Sequence, residues 1–69
     1  AVLPGMRGSG IGRAVLDALM NAARARGDRE ALLHAQLSAA PFYSLAGFTT
    51  RGPVFDEAGI PHVEMVRNL

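Results

Sequence analysis

Arg7-Gly8-Ser9-Gly10-Ile11-Gly12-Arg13 sets three glycines at alternate positions, between an apolar run, Ala1-Val2-Leu3, and an amphipathic stretch over residues 11–26. Pro4 and Gly5 end the apolar run, since proline cannot donate to a ladder and glycine marks turns. The order predicts a strand, a turn and a helix. Glycine at every second position lets the backbone N–H groups curl toward one point, at which the positive end of the following helix also points. Such a turn holds an anion, a diphosphate above all, without a cationic side chain. The competing explanation is that the glycines only let the helix pack tightly on the strand.

The rest of the chain reads outward from that turn. Ile11, Val15, Ala18, Leu19, Ala22 and Ala23 recur at three- and four-residue steps, with Leu16 and Met20 widening the apolar face and Asp17, Asn21 and Arg24 opposite. Ser9 is the expected N-cap and Gly27 the expected left-handed residue past the end. Ala31–Leu37 reads as a strand buried on both faces, which closes a parallel strand–helix–strand crossover. A short helix follows over Ala39–Ala46, capped by Ser38, with Pro41 in its first turn, Gly47 as its exit and Phe48 packing back. Phe48–Phe55 and His62–Arg67 are two further strands, joined through Asp56–Pro61 into an antiparallel hairpin. Val63, Met65 and Arg67 alternate there with Glu64 and Val66. The expected class is α/β (α+β), in the order β-α-β-α-β-β, within one unit spanning residues 1–69.

Composition narrows the function. Sixty-nine residues make one small domain or part of one. Cysteine is absent, which excludes disulfides and thiolate metal sites, and His34 and His62 are too few to suggest zinc. All seven cations are arginine and the net charge is only +1, so nucleic acid is not an expected partner. No apolar run approaches the roughly 20 residues that span a bilayer, and no signal peptide is visible, so the expectation is a cytoplasmic protein without a membrane partner. The chain opens without methionine and inside an apolar run, as a fragment of a longer domain would. Unpaired strand edges in such a fragment invite association, as a homodimer or with a chain that supplies the remainder.

The phase of the glycines separates the loops that bind phosphates. A Walker loop needs a lysine after its last glycine, and the chain has none. The dinucleotide fingerprint would put its third small residue at Arg13 or Val15. Arg7-x-x-Gly10-x-Gly12 instead resembles the coenzyme A motif of the GNAT (Gcn5-related) N-acetyltransferase superfamily. Phe42-Tyr43-Ser44-Leu45-Ala46-Gly47-Phe48 resembles that superfamily's tyrosine helix followed by Gly-Phe. Phe55-Asp56-Glu57-Ala58-Gly59-Ile60-Pro61-His62 and Ala35-Gln36 resemble its ElaA-like branch. The resemblance covers all 69 residues and corresponds to the C-terminal half of the family domain, without its first strands and helices.

The resemblance implies transfer of an acetyl group from acetyl-coenzyme A to a primary amine, on a small molecule or a peptide. It implies that Arg7, Gly8, Ser9, Gly10, Ile11, Gly12 and Arg13 hold the pyrophosphate, that Val2 and Leu3 present a backbone N–H to the thioester carbonyl, and that Gln36 bonds the pantetheine amide or caps the neighbouring helix. Tyr43 is the expected acid, since a phenol titrating near 10 can protonate a departing thiolate; the alternative is a core residue beside Phe42. His62, next to Pro61, is expected to bond Glu57 or a hairpin carbonyl rather than act as a base. His34 is expected in the core, and Asp56 and Glu57 in solvent. The general base and the acceptor pocket are assigned to no residue. A non-catalytic coenzyme A-binding or interaction module on the same fold is the alternative function.

Overall fold

The computed structural model describes residues 1–3 and 12–69. Helix α1 spans Arg13–Ala25, strand β1 Glu30–Gln36, a 3-10 turn Leu37–Ala39, helix α2 Ala40–Leu45, strand β2 Thr49–Glu57 and strand β3 Ile60–Asn68. The fold is mixed α/β, as expected. The three strands lie in the order β1-β3-β2, both pairs antiparallel, so the last strand is the middle one. The N-terminal segment adds a parallel contact, Val2 opposite Leu32. It is held by Leu3 N–H to Leu32 O and Leu32 N–H to Ala1 O, both 2.7 Å. With α1 between the two partners, this is the expected parallel crossover.

Both helices cover one face of the sheet. Leu16 and Met20 of α1, Tyr43 and Ala46 of the second helical segment, and Phe48 pack on Ala31, Leu33, Ala35, Val63 and Met65, with Leu3 in the same core. The apolar face of α1 differs from the one read in the sequence. Leu16, Met20 and Ala23 are buried, whereas Val15, Ala18 and Ala22 are exposed. The large side chains set the buried stripe, and the small alanines beside them tolerate either side.

Strand β1 also differs. It buries Ala31, Leu33 and Ala35 but not the residues between them, a half-buried alternation rather than burial on both faces. His34 therefore leaves the core and lies on the sheet face away from the helices, half exposed.

Local signals explain the helix ends. Beyond α1, Gly27 (φ +88°) sits past the C-cap Arg26; its N–H bonds Arg24 O and that of Asp28 bonds Ala23 O, each 3.0 Å. Gly47 (φ +93°) repeats the motif after α2, with its N–H on Ser44 O and that of Phe48 on Tyr43 O, each 3.0 Å. The starts depart from expectation. The N-cap of α1 is Gly12, not Ser9, and that of α2 is Ala39, without a side-chain cap from Ser38. The 3-10 turn over residues 37–39 carries the chain into α2 instead. The hairpin turn is only Ala58-Gly59, both left-handed (φ +53° and +76°). Two positive φ values are the signature of the tight primed turn whose twist matches the strands. Asp56, Glu57, Ile60 and Pro61 therefore belong to the strands.

Candidate functional site

The expected diphosphate turn falls largely on Arg7, Gly8, Ser9, Gly10 and Ile11, which lie outside the described residues. Its last two members are described. Gly12 has φ −71°, open to any residue, and a Cβ built there would meet nothing within 4 Å. Neither backbone strain nor tight packing among the described residues accounts for glycine at position 12. Arg13 opens α1, and the first turn holds no acidic residue. A cation at a helix N-terminus sits at the unfavourable end of the dipole. Arg13 offsets this through Asp17, one turn on, at 3.0 Å.

Val2 and Leu3 stand where the parallel contact with β1 is made. A cavity of about 200 Å³ opens there, lined by Val2, Leu3, Leu32, His34 and Glu57. Leu3 is also buried in the core that contains Tyr43. Gln36, at the end of β1 opposite His62, makes no side-chain cap to the 3-10 turn it precedes.

Tyr43 is 5% exposed, with the rings of Phe42 and Phe48 edge-on at 5.2 and 6.0 Å. Burial pushes its phenol above the ordinary value of 10.0. The group stays protonated at neutral pH, as a proton donor must.

The sheet face away from the helices carries a chain of charges, placed there by strand register. His34 pairs across with Glu64, Arg51 with the same Glu64, and Phe55 with His62. Glu64 Oε2 accepts from Arg51 Nε at 2.8 Å, and Glu30 lies 3.5 Å from Arg51 Nη1. The Arg51 hydrogen bond holds the Glu64 carboxyl below its usual 4.5. His34 stands between two carboxylates, Nδ1 3.6 Å from Glu57 Oε1 and Nε2 3.6 Å from Glu64 Oε1. The Phe55 ring is edge-on to it at 5.1 Å.

His62 is 2% exposed. Its Nδ1 lies 2.7 Å from Ile60 O, and its Nε2 lies 3.3 Å from Glu57 Oε2. A carbonyl oxygen can only accept, so Nδ1 donates. Both expected partners of His62, the hairpin carbonyl and Glu57, are present, and Glu57 is a member of the cluster rather than a free turn residue. Among the described residues no group of three His, Cys, Asp or Glu could hold a metal.

This charged face is the feature that sequence reasoning missed. Its signal was the even spacing of Glu30, His34, His62 and Glu64, which puts like-phased polar residues on one face of two strands.

The profile of the acetyltransferase (GNAT) domain matches residues 1–69. The chain is 37% identical over 68 residues to the uncharacterized N-acetyltransferase YjcF of Bacillus subtilis (strain 168), covering 97% of this chain and 49% of YjcF. A solved structure of an inferred N-acetyltransferase from Lactobacillus plantarum superposes with a TM-score of 0.81 at 38% identity, covering 91% of this chain and 43% of that one. An acyl-CoA N-acyltransferase from Pseudomonas aeruginosa gives a TM-score of 0.71 at 35% identity, covering 88% and 42%. The chain thus spans about half the length of the relatives it matches. The glycine-led helix, the parallel contact beside it and the tyrosine helix therefore have one common explanation: the chain belongs to the GNAT acetyltransferase family.

Proposed function

We propose that this chain binds acetyl-coenzyme A and serves the transfer of its acetyl group to a primary amine. The observation that carries the proposal is the start of α1: a glycine that packing does not require, followed by an arginine at the electrostatically unfavourable end of the helix. A bound diphosphate reverses that cost. Residues 7–13 would hold the pyrophosphate, with Arg7, Gly8, Ser9, Gly10 and Ile11 completing what Gly12 and Arg13 begin. Val2 and Leu3 would offer backbone to the thioester, and Gln36 its amide to the pantetheine arm. Tyr43 would return a proton to the departing sulfur. The thioester itself supplies the acetyl group.

Calorimetric titration of acetyl-coenzyme A into the chain tests the binding. Saturable binding that Gly10→Glu abolishes is expected, because the carboxylate would occupy the anion's place. Unchanged affinity in Gly10→Glu overturns the assignment. Tyr43→Phe is expected to lower turnover by about 10²-fold where the donor is needed; turnover intact across pH removes Tyr43 from the acid role.

The share of its relatives that the chain spans favours a second reading, a unit that binds coenzyme A but turns over slowly or not at all alone. We assign residues 1–69 to one partial domain of a cytoplasmic protein, working as a homodimer or with a chain that completes the site. Coenzyme A release with a panel of amines separates enzyme from binding module. Sedimentation as a monomer with cooperative unfolding at micromolar concentration refutes the association.

A further inference from the structure

We propose that Arg67 is a positioning residue for the phenol of Tyr43: it ties the end of α2 to α1 and to β3, and so fixes where the phenol stands relative to a coenzyme held at the start of α1. The proposal rests on the function proposed above.

An arginine at position 67 breaks the pattern of its own strand. Alternation along β3 puts Val63 and Met65 in the core. Arg67 falls in the same phase, half-buried, opposite the fully buried Ala31 of β1. A charge on that face costs free energy unless polar partners answer it. Its polar partners among the described residues are a carbonyl and a thioether, not a carboxylate. Nη1 donates to Ala46 O at 2.8 Å and reaches Met20 Sδ at 3.6 Å. The side chain passes so close to Gly47 that a Cβ there would lie 3.2 Å from Nε, 3.3 Å from Cδ and 3.4 Å from Cζ. The glycine that ends α2 is thus also what lets the guanidinium reach the carbonyl. Methionine or leucine would fill the same space but offers no directed donor.

The bond to Ala46 leads to Tyr43 in one step. Ala46, whose O takes the guanidinium, gives its N–H to Tyr43 O at 3.0 Å, and Phe48 N–H goes to the same oxygen at 3.0 Å. The Phe48 ring then packs edge-on to the phenol ring at 6.0 Å. Helix α2 has six residues and no side-chain cap at its start, so its end is the end that is held. Met20, the other contact, lies on α1 about two turns beyond Arg13. Among the described residues, Arg67 is the one side chain whose polar contacts join α1, the end of α2 and β3. Relative placement governs rate, since moving a catalytic group by about 1 Å can cost about 10²-fold.

Tyr43 is the only tyrosine and the chain has no tryptophan. Ultraviolet absorbance of the phenolate against pH therefore titrates this one group, with or without turnover. Burial holds its midpoint above 10.0. In Arg67→Met the midpoint is expected to fall toward 10.0, as α2 loosens and water reaches the ring. Loss of the positive charge alone would move it the opposite way, because a cation favours the phenolate. Arg67→Lys, which keeps a donor and a charge, is expected to restore the midpoint. Gly47→Ala, whose Cβ pushes the guanidinium from the carbonyl, is expected to lower it as well. Gly27→Ala, the same change in the same motif after α1, is expected to leave it in place, and this pair decides the matter if Arg67→Met does not fold. In turnover with acetyl-coenzyme A and n-butylamine, Arg67→Met is expected to lose about 10-fold in kcat at an unchanged KM for the thioester. The basic limb of its pH profile should move to lower pH along with the phenol. Equal midpoints in the two glycine variants overturn the inference, and so does an unmoved or raised midpoint in a folded Arg67→Met. Absence of acetyl-coenzyme A binding by the unsubstituted chain refutes the proposed function instead, while the titrations still decide whether Arg67 places the phenol.

Discussion

Gly47→Ala is expected to destabilise the fold more than Gly27→Ala, although both glycines fill the same position in the same helix-ending motif. Each holds a left-handed backbone, φ +93° and +88°. A Cβ in that region costs about 1–2 kcal/mol, and both variants should lose this much. Their surroundings then separate them. A Cβ at Gly27 meets nothing within 4 Å, whereas one at Gly47 lies 3.2 Å from Arg67 Nε and 3.3 Å from its Cδ. The Arg67 guanidinium donates to Ala46 O at 2.8 Å and reaches Met20 Sδ at 3.6 Å, so it ties the end of α2 to α1. Pushing it aside weakens that bond, worth about a further 1 kcal/mol. Urea unfolding at one fixed chain concentration measures both, provided the slope of the transition is unchanged. The expected order of midpoints is unsubstituted, then Gly27→Ala, then Gly47→Ala. In an Arg67→Met background the two glycine variants should cost the same. Equal midpoints with Arg67 in place would refute the steric argument, and two unchanged midpoints would refute the left-handed caps as well.

Ala58→Asn should stabilise the hairpin by up to about 1 kcal/mol, read from the same urea midpoints, because asparagine tolerates φ +53° where alanine is strained. Phe48→Ala empties a site that is 2% exposed and should cost about 3–5 kcal/mol. In a core this small that is expected to remove the cooperative transition in circular dichroism. The Glu64 carboxyl is depressed below 4.5 by the hydrogen bond from Arg51. Its contribution to stability is therefore complete above about 4.5 and lost as pH falls through the lower folded value. Urea midpoints measured against pH should show a shallower acid fall in Glu64→Gln, and an unchanged fall would separate Glu64 from acid unfolding.

What was legible in the sequence was what a residue decides locally. Gly27 and Gly47 announced both helix ends because a positive φ is glycine's own property. Val63, Met65 and Arg67 announced one face of β3 through period two. The sequence misplaces His34 because its neighbours Leu33 and Ala35 suggest an apolar environment. Strand alternation put those two in the core and His34 opposite them, and its partners Glu57 and Glu64 belong to other strands. No periodicity in β1 contains that pairing. The two-residue turn at Ala58-Gly59 is not legible in the sequence because alanine gives no hint of a left-handed φ. The surroundings of His62 are legible because both its partners, Ile60 and Glu57, are near in sequence.

The position of β3 between β1 and β2 bears on the order in which the chain can fold. The hairpin of β2 and β3 closes over two residues and can form early. Strand β1 must wait for it, since its partners lie far along the chain, from His62 opposite Gln36 to Asn68 opposite Glu30. Such distant closure is slow. During synthesis β1 is without its partner β3 until residues 60–68 exist. Its parallel contact with Val2 and Leu3 is then the one ladder available to β1 among the described residues. The edge of β1 that faces β3 thus stays open until then, and any partner that pairs with it has its opening before the hairpin docks.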